Sequence, residues 1–177
     1  MTPPPTATPP AGAPFEPTGA VAFAAGGEGA TISYGPWRVR GPGIDLAYAG
    51  GGTWTGKIAD ADVRIAASDG RIGGAGGEVL VERTDDELRL HGTWSGRSLE
   101  LAVGRVRLKG TLDGGACSFD LRPSGPDALA GTLGCASPGG GIPTSSRGTL
   151  RLRGEAVLVP DVLEPQFVLA LLAALPL

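Results

Sequence analysis

The chain has 177 residues, a formal net charge of −3 and a pI near 5.1. That length allows one domain with a full core, while the acidic balance is the wrong sign for a nucleic-acid-binding surface. Aromatic residues make up only 5%, too few for a surface that stacks sugars or bases, and no apolar run approaches the roughly 20 residues of a membrane helix.

Residues 1–18 carry seven prolines with Thr and Ala between them. Such a segment favours extended polyproline conformers and buries no core, so it reads as a disordered tail ahead of a single domain over 19–177. It lacks the basic start and apolar centre of a secretory leader. If the sequence is full length, this points to the cytoplasm.

From Gly19 onward short apolar alternations are broken by glycine clusters. "AVAF", "TISY", "WRVR" and "IDLAY" come first, followed by "DVRIAA", "EVLVER", "ELRLHGTW", "SLELAV" and "RVRLKGTLD". "CSFDLR", "ALAGTLGC", "GTLRLRG" and "EAVLV" complete the series. Alternation with period two marks half-buried strands, and "RTDDE" (83–87) and "VGR" (103–105) are suited to tight turns. Many short strands at close spacing predict an all-β fold, an antiparallel barrel-like or sandwich sheet built of hairpins.

The alternation assigns faces. Leu88, Leu90, Gly92 and Trp94 share one side, and Arg89, His91 and Thr93 the other. Val106, Leu108, Gly110 and Leu112 point inward, with Arg105, Arg107, Lys109 and Thr111 outward. Leu129, Gly131 and Leu133 face in, as do Gly148, Leu150 and Leu152.

Gly-Thr followed by Trp or Leu occurs five times, beginning at Gly52, Gly92, Gly110, Gly131 and Gly148. In the middle three copies glycine lies on the apolar face two residues before Trp or Leu, and threonine faces solvent. A glycine there lets the strand bend, or leaves a gap that a neighbouring side chain fills. The G-x-W pattern resembles that of lipocalin-like and avidin-like barrels over three residues. The doubled GTW and the larger number of strands depart from those eight-stranded folds.

The C-terminal stretch "EPQFVLALLAALPL" predicts a short helix over about 164–176, opened by Pro165 and apolar on every side after Gln166. Such a helix must be buried. It plugs the end of the β core, packs on another subunit, or touches a membrane surface; the last normally needs a basic face that this helix lacks.

Chemistry-bearing residues are sparse. Cys117 and Cys135 are the only cysteines, each on the apolar parity of its strand. They form either a disulfide, which implies an oxidising, extracytoplasmic compartment, or two buried thiols. His91 is the only histidine and is expected on the surface, which leaves no His-pair metal site. The carboxylates Asp60, Asp62, Asp69, Asp85, Asp86 and Glu87 fall in turn-like stretches, where they commonly stabilise turns. The runs 105–109 and 147–153 form either a basic, anion-binding stripe or one side of cross-strand ion pairs with Glu82, Glu87 and Glu100.

These features predict a non-enzymatic structural or assembly protein. Its Pro-rich arm and apolar C-terminal helix would contact partner subunits through Phe167, Val168, Leu171, Leu172 and Leu175. The alternative is a barrel enclosing a small apolar ligand against Trp54, Trp94, Leu90, Leu108 and Leu112. Neither reading calls for a metal or cofactor, a nucleic-acid partner or a transmembrane segment.

Overall fold

Fourteen antiparallel strands close into one barrel in a computed structural model that describes residues 14–25, 28–68, 70–74, 76–136 and 144–175. The proline-rich segment up to residue 13, Asp69 and Pro176 lie outside the described residues. The strands are β1 (Gly19–Ala25), β2 (Glu28–Tyr34), β3 (Arg38–Gly41), β4 (Ile44–Gly50), β5 (Thr53–Ile58), β6 (Ala61–Ser68) and β7 (Arg71–Gly74). They continue as β8 (Gly77–Arg83), β9 (Glu87–Trp94), β10 (Arg97–Gly104), β11 (Leu108–Leu112), β12 (Cys117–Gly125), β13 (Ala128–Cys135) and β14 (Thr144–Gly154). A helix, α1 (Gln166–Ala174), follows.

Each strand pairs with the next in the chain, and β1 closes the ring by pairing with β14. Val21 therefore faces Ile32 on one side and Leu152 on the other. All three are buried. The inward residues of all strands form a single apolar cluster, while the outward ones are largely charged or small. This is the reverse of the pattern on a lipid-facing barrel. No helix among the described residues is long and apolar enough to cross a membrane.

Two ends follow from the meander. The start of β1, the turn between β8 and β9, the turn between β10 and β11, and the exit from β14 lie at the end closed by α1. The turns between β9 and β10 and between β11 and β12 lie at the far end. Thr18 links the strand termini at the helix end: its amide donates to the Tyr34 carbonyl, and its carbonyl accepts from the Glu155 amide, both at 2.9 Å.

The Gly-Thr repeats divide into two devices. At Gly131 a Cβ would lie 3.0 Å from the carbonyl carbon of Asp120 on β12 and 3.1 Å from Leu121 Cα, and closer still to the Asp120 oxygen. The neighbouring backbone passes directly over this glycine, so the wall can coil tightly only because the side chain is absent. Gly92 and Gly110 are covered in the same way, by the carbonyls of Glu78 and Glu100. At Gly92 the backbone also has φ +141°, a region that L side chains rarely adopt. Gly148 differs: its missing side chain leaves room for the Phe23 ring, whose Cζ would lie 3.3 Å from a Cβ. That ring makes an edge-on contact with Phe119 at 5.9 Å between centroids.

The two near-identical phrases GTWTG and GTWSG turn out to be used in opposite orders. In the first, Gly52 belongs to the turn and Gly56 is the glycine crossed by a neighbouring backbone, at Asp45. In the second, Gly92 is crossed and Gly96 makes the turn. Trp54 consequently starts a strand near the helix end, while Trp94 finishes one near the far end.

After β14 the chain leaves the wall. "EAVLV" forms a 3₁₀ turn over Glu155–Leu158, not a further strand. The physical reason is closure: β1 is already paired on both sides and offers no edge. "VGR" is not the centre of its turn either. β10 continues to Gly104 and β11 begins at Leu108, with the Gly104 amide bonded to the Arg107 carbonyl at 2.9 Å. Val106 thereby sits in the turn, 69% exposed, and does not point inward.

Helix α1 packs against β1, β2 and β3 from inside the ring. Phe167 through Leu171 are all fully buried. Five consecutive residues sweep every side of a helix at 3.6 residues per turn, so α1 is surrounded. It ends the apolar core as a plug.

Candidate functional site

The residues expected to meet partners through α1 are Phe167, Val168, Leu171, Leu172 and Leu175. All are buried in the chain's own interior and present no surface in this conformation. Phe167 packs edge-on against Tyr34 at 6.2 Å. Gln166 donates through Nε2 to the Pro36 carbonyl at 3.1 Å. Outside the helix, two arginines hold the segment that leads to it. Arg83, the last residue of β8, reaches Glu164 at 2.5 Å, Asp161 at 3.4 Å and the Val162 carbonyl at 3.4 Å. Arg105 donates to the Val159 carbonyl at 3.0 Å.

The residues expected to line an enclosed ligand, Trp54, Leu90, Trp94, Leu108 and Leu112, are likewise buried. They share the apolar interior without converging on one spot. Trp54 belongs to an aromatic cluster with Tyr48 and Trp37 near the helix end, with centroid separations of 5.4 and 6.1 Å. Trp94 lies towards the opposite end, on β9.

Also at the far end, Cys117 and Cys135 stand directly opposite each other on β12 and β13 and are joined by a disulfide. His91 is exposed on β9, facing Glu100 across the strand pair. Among the described residues no group of three His, Cys, Asp or Glu side chains is placed to hold a metal ion.

The outer face separates two kinds of arginine that look alike in sequence. Most are matched by a carboxylate on an adjoining strand or turn. Arg38 forms a two-pronged pair with Asp45 at 2.8 Å, Arg97 meets Asp113 at 2.6 Å, and Arg107 meets Asp120 at 3.2 Å. Hydrogen bonds from these arginines hold the three aspartates below the usual carboxylate range. In the run 105–109, Arg107 is thus paired across strands and Arg105 is committed to the plug.

Arg147, Arg151 and Arg153 on β14 are different. They lie on the outward parity of the strand and are exposed, and none forms an ion pair among the described residues. Their cross-strand neighbours explain why: Arg151 sits between Ala22 on β1 and Ala128 on β13, Arg153 faces Ala20, and Arg147 faces Thr132. The outward positions of β1 are alanines, and those of β2 and β13 are mostly Gly, Ser, Thr and Ala. The small side chains leave two shallow hollows beside the arginines, of about 380 and 490 Å³. One lies by Ala22, Ala24, Thr31 and Arg151, the other by Ala130, Thr132, Ser145 and Arg147. The face formed by β13, β14, β1 and β2 is therefore low, uncrowded and positively charged, with no carboxylate among its described outward side chains.

Such a face can grip carboxylates. A guanidinium presents a rigid fork of donors that matches a carboxylate in two-pronged fashion, and small neighbours allow a partner's backbone to approach. Arg151 and Arg153 are two residues apart on one strand, about 7 Å along it. The sequence pointed to the 147–153 run as one of two basic stretches; only the register shows that its neighbours are alanines. Comparison with known proteins identifies no relative: no family model, no curated protein and no solved structure matches the chain.

Proposed function

We propose that this protein is a non-enzymatic structural or assembly protein that docks an acidic protein surface on the outer face of β13, β14, β1 and β2. The observation that carries this reading is the row Arg147, Arg151 and Arg153, unpaired among the described residues and set among alanine, threonine and glycine. Closure of the ring adds support. Among the described residues every strand has a neighbour on both sides, which disfavours strand addition by a partner and favours contact face to face. The Cys117–Cys135 disulfide favours an oxidising, extracytoplasmic setting for that contact.

Binding of fluorescently labelled polyglutamate, followed by polarisation at low and moderate salt, tests the proposal. The wild type should bind despite its net charge of −3, with affinity falling as salt rises. Changing Arg147, Arg151 and Arg153 together to Ser should abolish binding, while Arg64→Ser on β6 should leave it intact. Equal binding by the triple variant, or none by the wild type, would remove the basis for the proposal.

A further inference from the structure

We infer that the acidic partner docks through a segment with an apolar anchor beside its carboxylates, and that the anchor lands on Val106, Val157 and Leu158. The inference rests on the proposed function above and deepens its description of the partner. Among the described residues the large apolar side chains left exposed are these three, at 69%, 39% and 48%. They come from two distant stretches of sequence. Val106 sits in the turn between β10 and β11, and Val157 and Leu158 in the 3₁₀ turn over Glu155–Leu158.

Arg105 brings the two stretches together. Its guanidinium donates to the Val159 carbonyl at 3.0 Å and to the Leu158 carbonyl at 3.5 Å, which sets the neighbouring Val106 beside the 3₁₀ turn. The three side chains thus gather in one patch at the plugged end. Single apolar residues scattered over a surface need no explanation, whereas a cluster marks a contact site.

The patch continues the arginine face. The 3₁₀ turn packs against β1 and β14, and Val157 follows Arg153 by four residues, a span of at most about 14 Å. Several charges around the patch are matched within the molecule: Asp161 lies between Arg83 and Arg105, and Arg107 holds Asp120. Glu155 turns an oxygen inward beside Tyr34. On the β14 side there remain Arg151 and Arg153 against the single carboxylate of Asp127, whose carbonyl accepts from the Leu152 amide. On the other side, beyond β10, Asp85 and Asp86 form no ion pair among the described residues. A partner's carboxylates are therefore favoured on the β14 side of the patch and repelled on the β8 side.

Exposed charge pairs bind weakly and lose strength with salt, while well-packed apolar anchors carry much of the affinity of an interface. A purely acidic partner leaves the patch open, and a purely apolar one leaves the arginines unmatched. A segment with carboxylates over β14 and an apolar residue over Val106, Val157 and Leu158 answers both.

Two labelled peptides of equal charge test this by fluorescence polarisation on the full chain. Each carries a run of glutamates; one continues into Leu-Val-Leu and the other into Ser-Gln-Ser. Both are made in either chain direction, so that each way of lying along β14 is sampled. In one direction the apolar peptide should bind wild type at least about tenfold more tightly than its polar counterpart. The ratio should hold at moderate salt, because apolar contact is not screened. Val106→Ser with Leu158→Ser should bring the apolar peptide down to the level of the polar one. Val106→Ser alone, at the most exposed of the three positions, should remove part of the advantage, and circular dichroism melts check that both variants are folded.

Equal binding of the two peptides in both directions, or an advantage that survives in the folded variants, would overturn the inference. If the peptides bind equally and the triple arginine-to-serine variant loses both, the acidic partner uses no anchor and the proposed function stands. If neither peptide binds wild type, both readings fall.

Discussion

Adding one methyl group at two Gly-Thr positions should have very different consequences. At Gly131 the new Cβ would fall 3.0 Å from the carbonyl carbon of Asp120 and 3.1 Å from Leu121 Cα. Both are backbone atoms of a paired strand, so relief requires β12 and β13 to move apart along a wall that closes on itself. Overpacking of this kind costs about 1–3 kcal/mol, occasionally more, and with no flexible side chain to yield we expect Gly131→Ala near the top, about 3 kcal/mol. At Gly148 the nearest atoms are Phe23 Cζ at 3.3 Å and Leu121 Cδ2 at 3.6 Å. A ring edge and a methyl can shift by tenths of an ångström, and alanine loses less chain entropy than glycine on folding, so Gly148→Ala should lie within about 1 kcal/mol of wild type. Urea unfolding with the disulfide intact measures both. Similar losses at the two positions, or a larger loss at Gly148, would refute the division of the repeat into a backbone crossing and a ring-filled gap.

The plug gives a second prediction. Arg83→Ala should destabilise by about 1–3 kcal/mol, because the largely covered Glu164 loses its charged partner, whereas Lys57→Ala, from an exposed pair with Asp62, should cost no more than about 0.5 kcal/mol. Replacing Cys117 and Cys135 together with Ser should lower stability by about 3 kcal/mol on the chain-entropy account, and thiol labelling of denatured, unreduced wild type should find no free thiol. Alkaline pH supplies the last test. Tyr34 titrates above its ordinary value of 10.0, first because it is buried and then because the Glu155 carboxylate lies beside it. Its folded pKa is the higher one, so its contribution is intact below about pH 10 and lost as pH rises beyond it. Tyr34→Phe should therefore flatten the loss of stability above about pH 10; an unchanged alkaline limb would contradict this.

Much of the wall was legible from alternation alone, because one face of each strand meets the core. Leu88, Leu90 and Trp94, or Leu150 and Leu152, declare their side by period two. The short strands β5 and β7 were not singled out, since "TWTGKI" and "RIGG" interrupt their alternation with glycine. "EAVLV" reads as a strand locally and is denied that conformation by ring closure, a property of the whole chain. The apolar character of α1 predicted burial but not what would bury it. The pair Arg83–Glu164 joins residues 81 positions apart, a relation no local pattern carries. The arginine face was hidden for a similar reason. "RVRLK" and "RGTLRLR" are alike as strings, and only the neighbouring strands, aspartate at Asp120 in one case and alanine at Ala22 and Ala128 in the other, separate a matched arginine from an open one.

The most direct measurement of where this protein meets its partner is an NMR titration with polyglutamate at low salt that follows the side-chain Nε–Hε signals of arginine. The face formed by β13, β14, β1 and β2 predicts that the signals of Arg147, Arg151 and Arg153 shift as polyglutamate is added, while those of Arg38 and Arg107, already held by Asp45 and Asp120, stay in place. Saturation with polyglutamate that leaves those three signals unmoved would contradict the account.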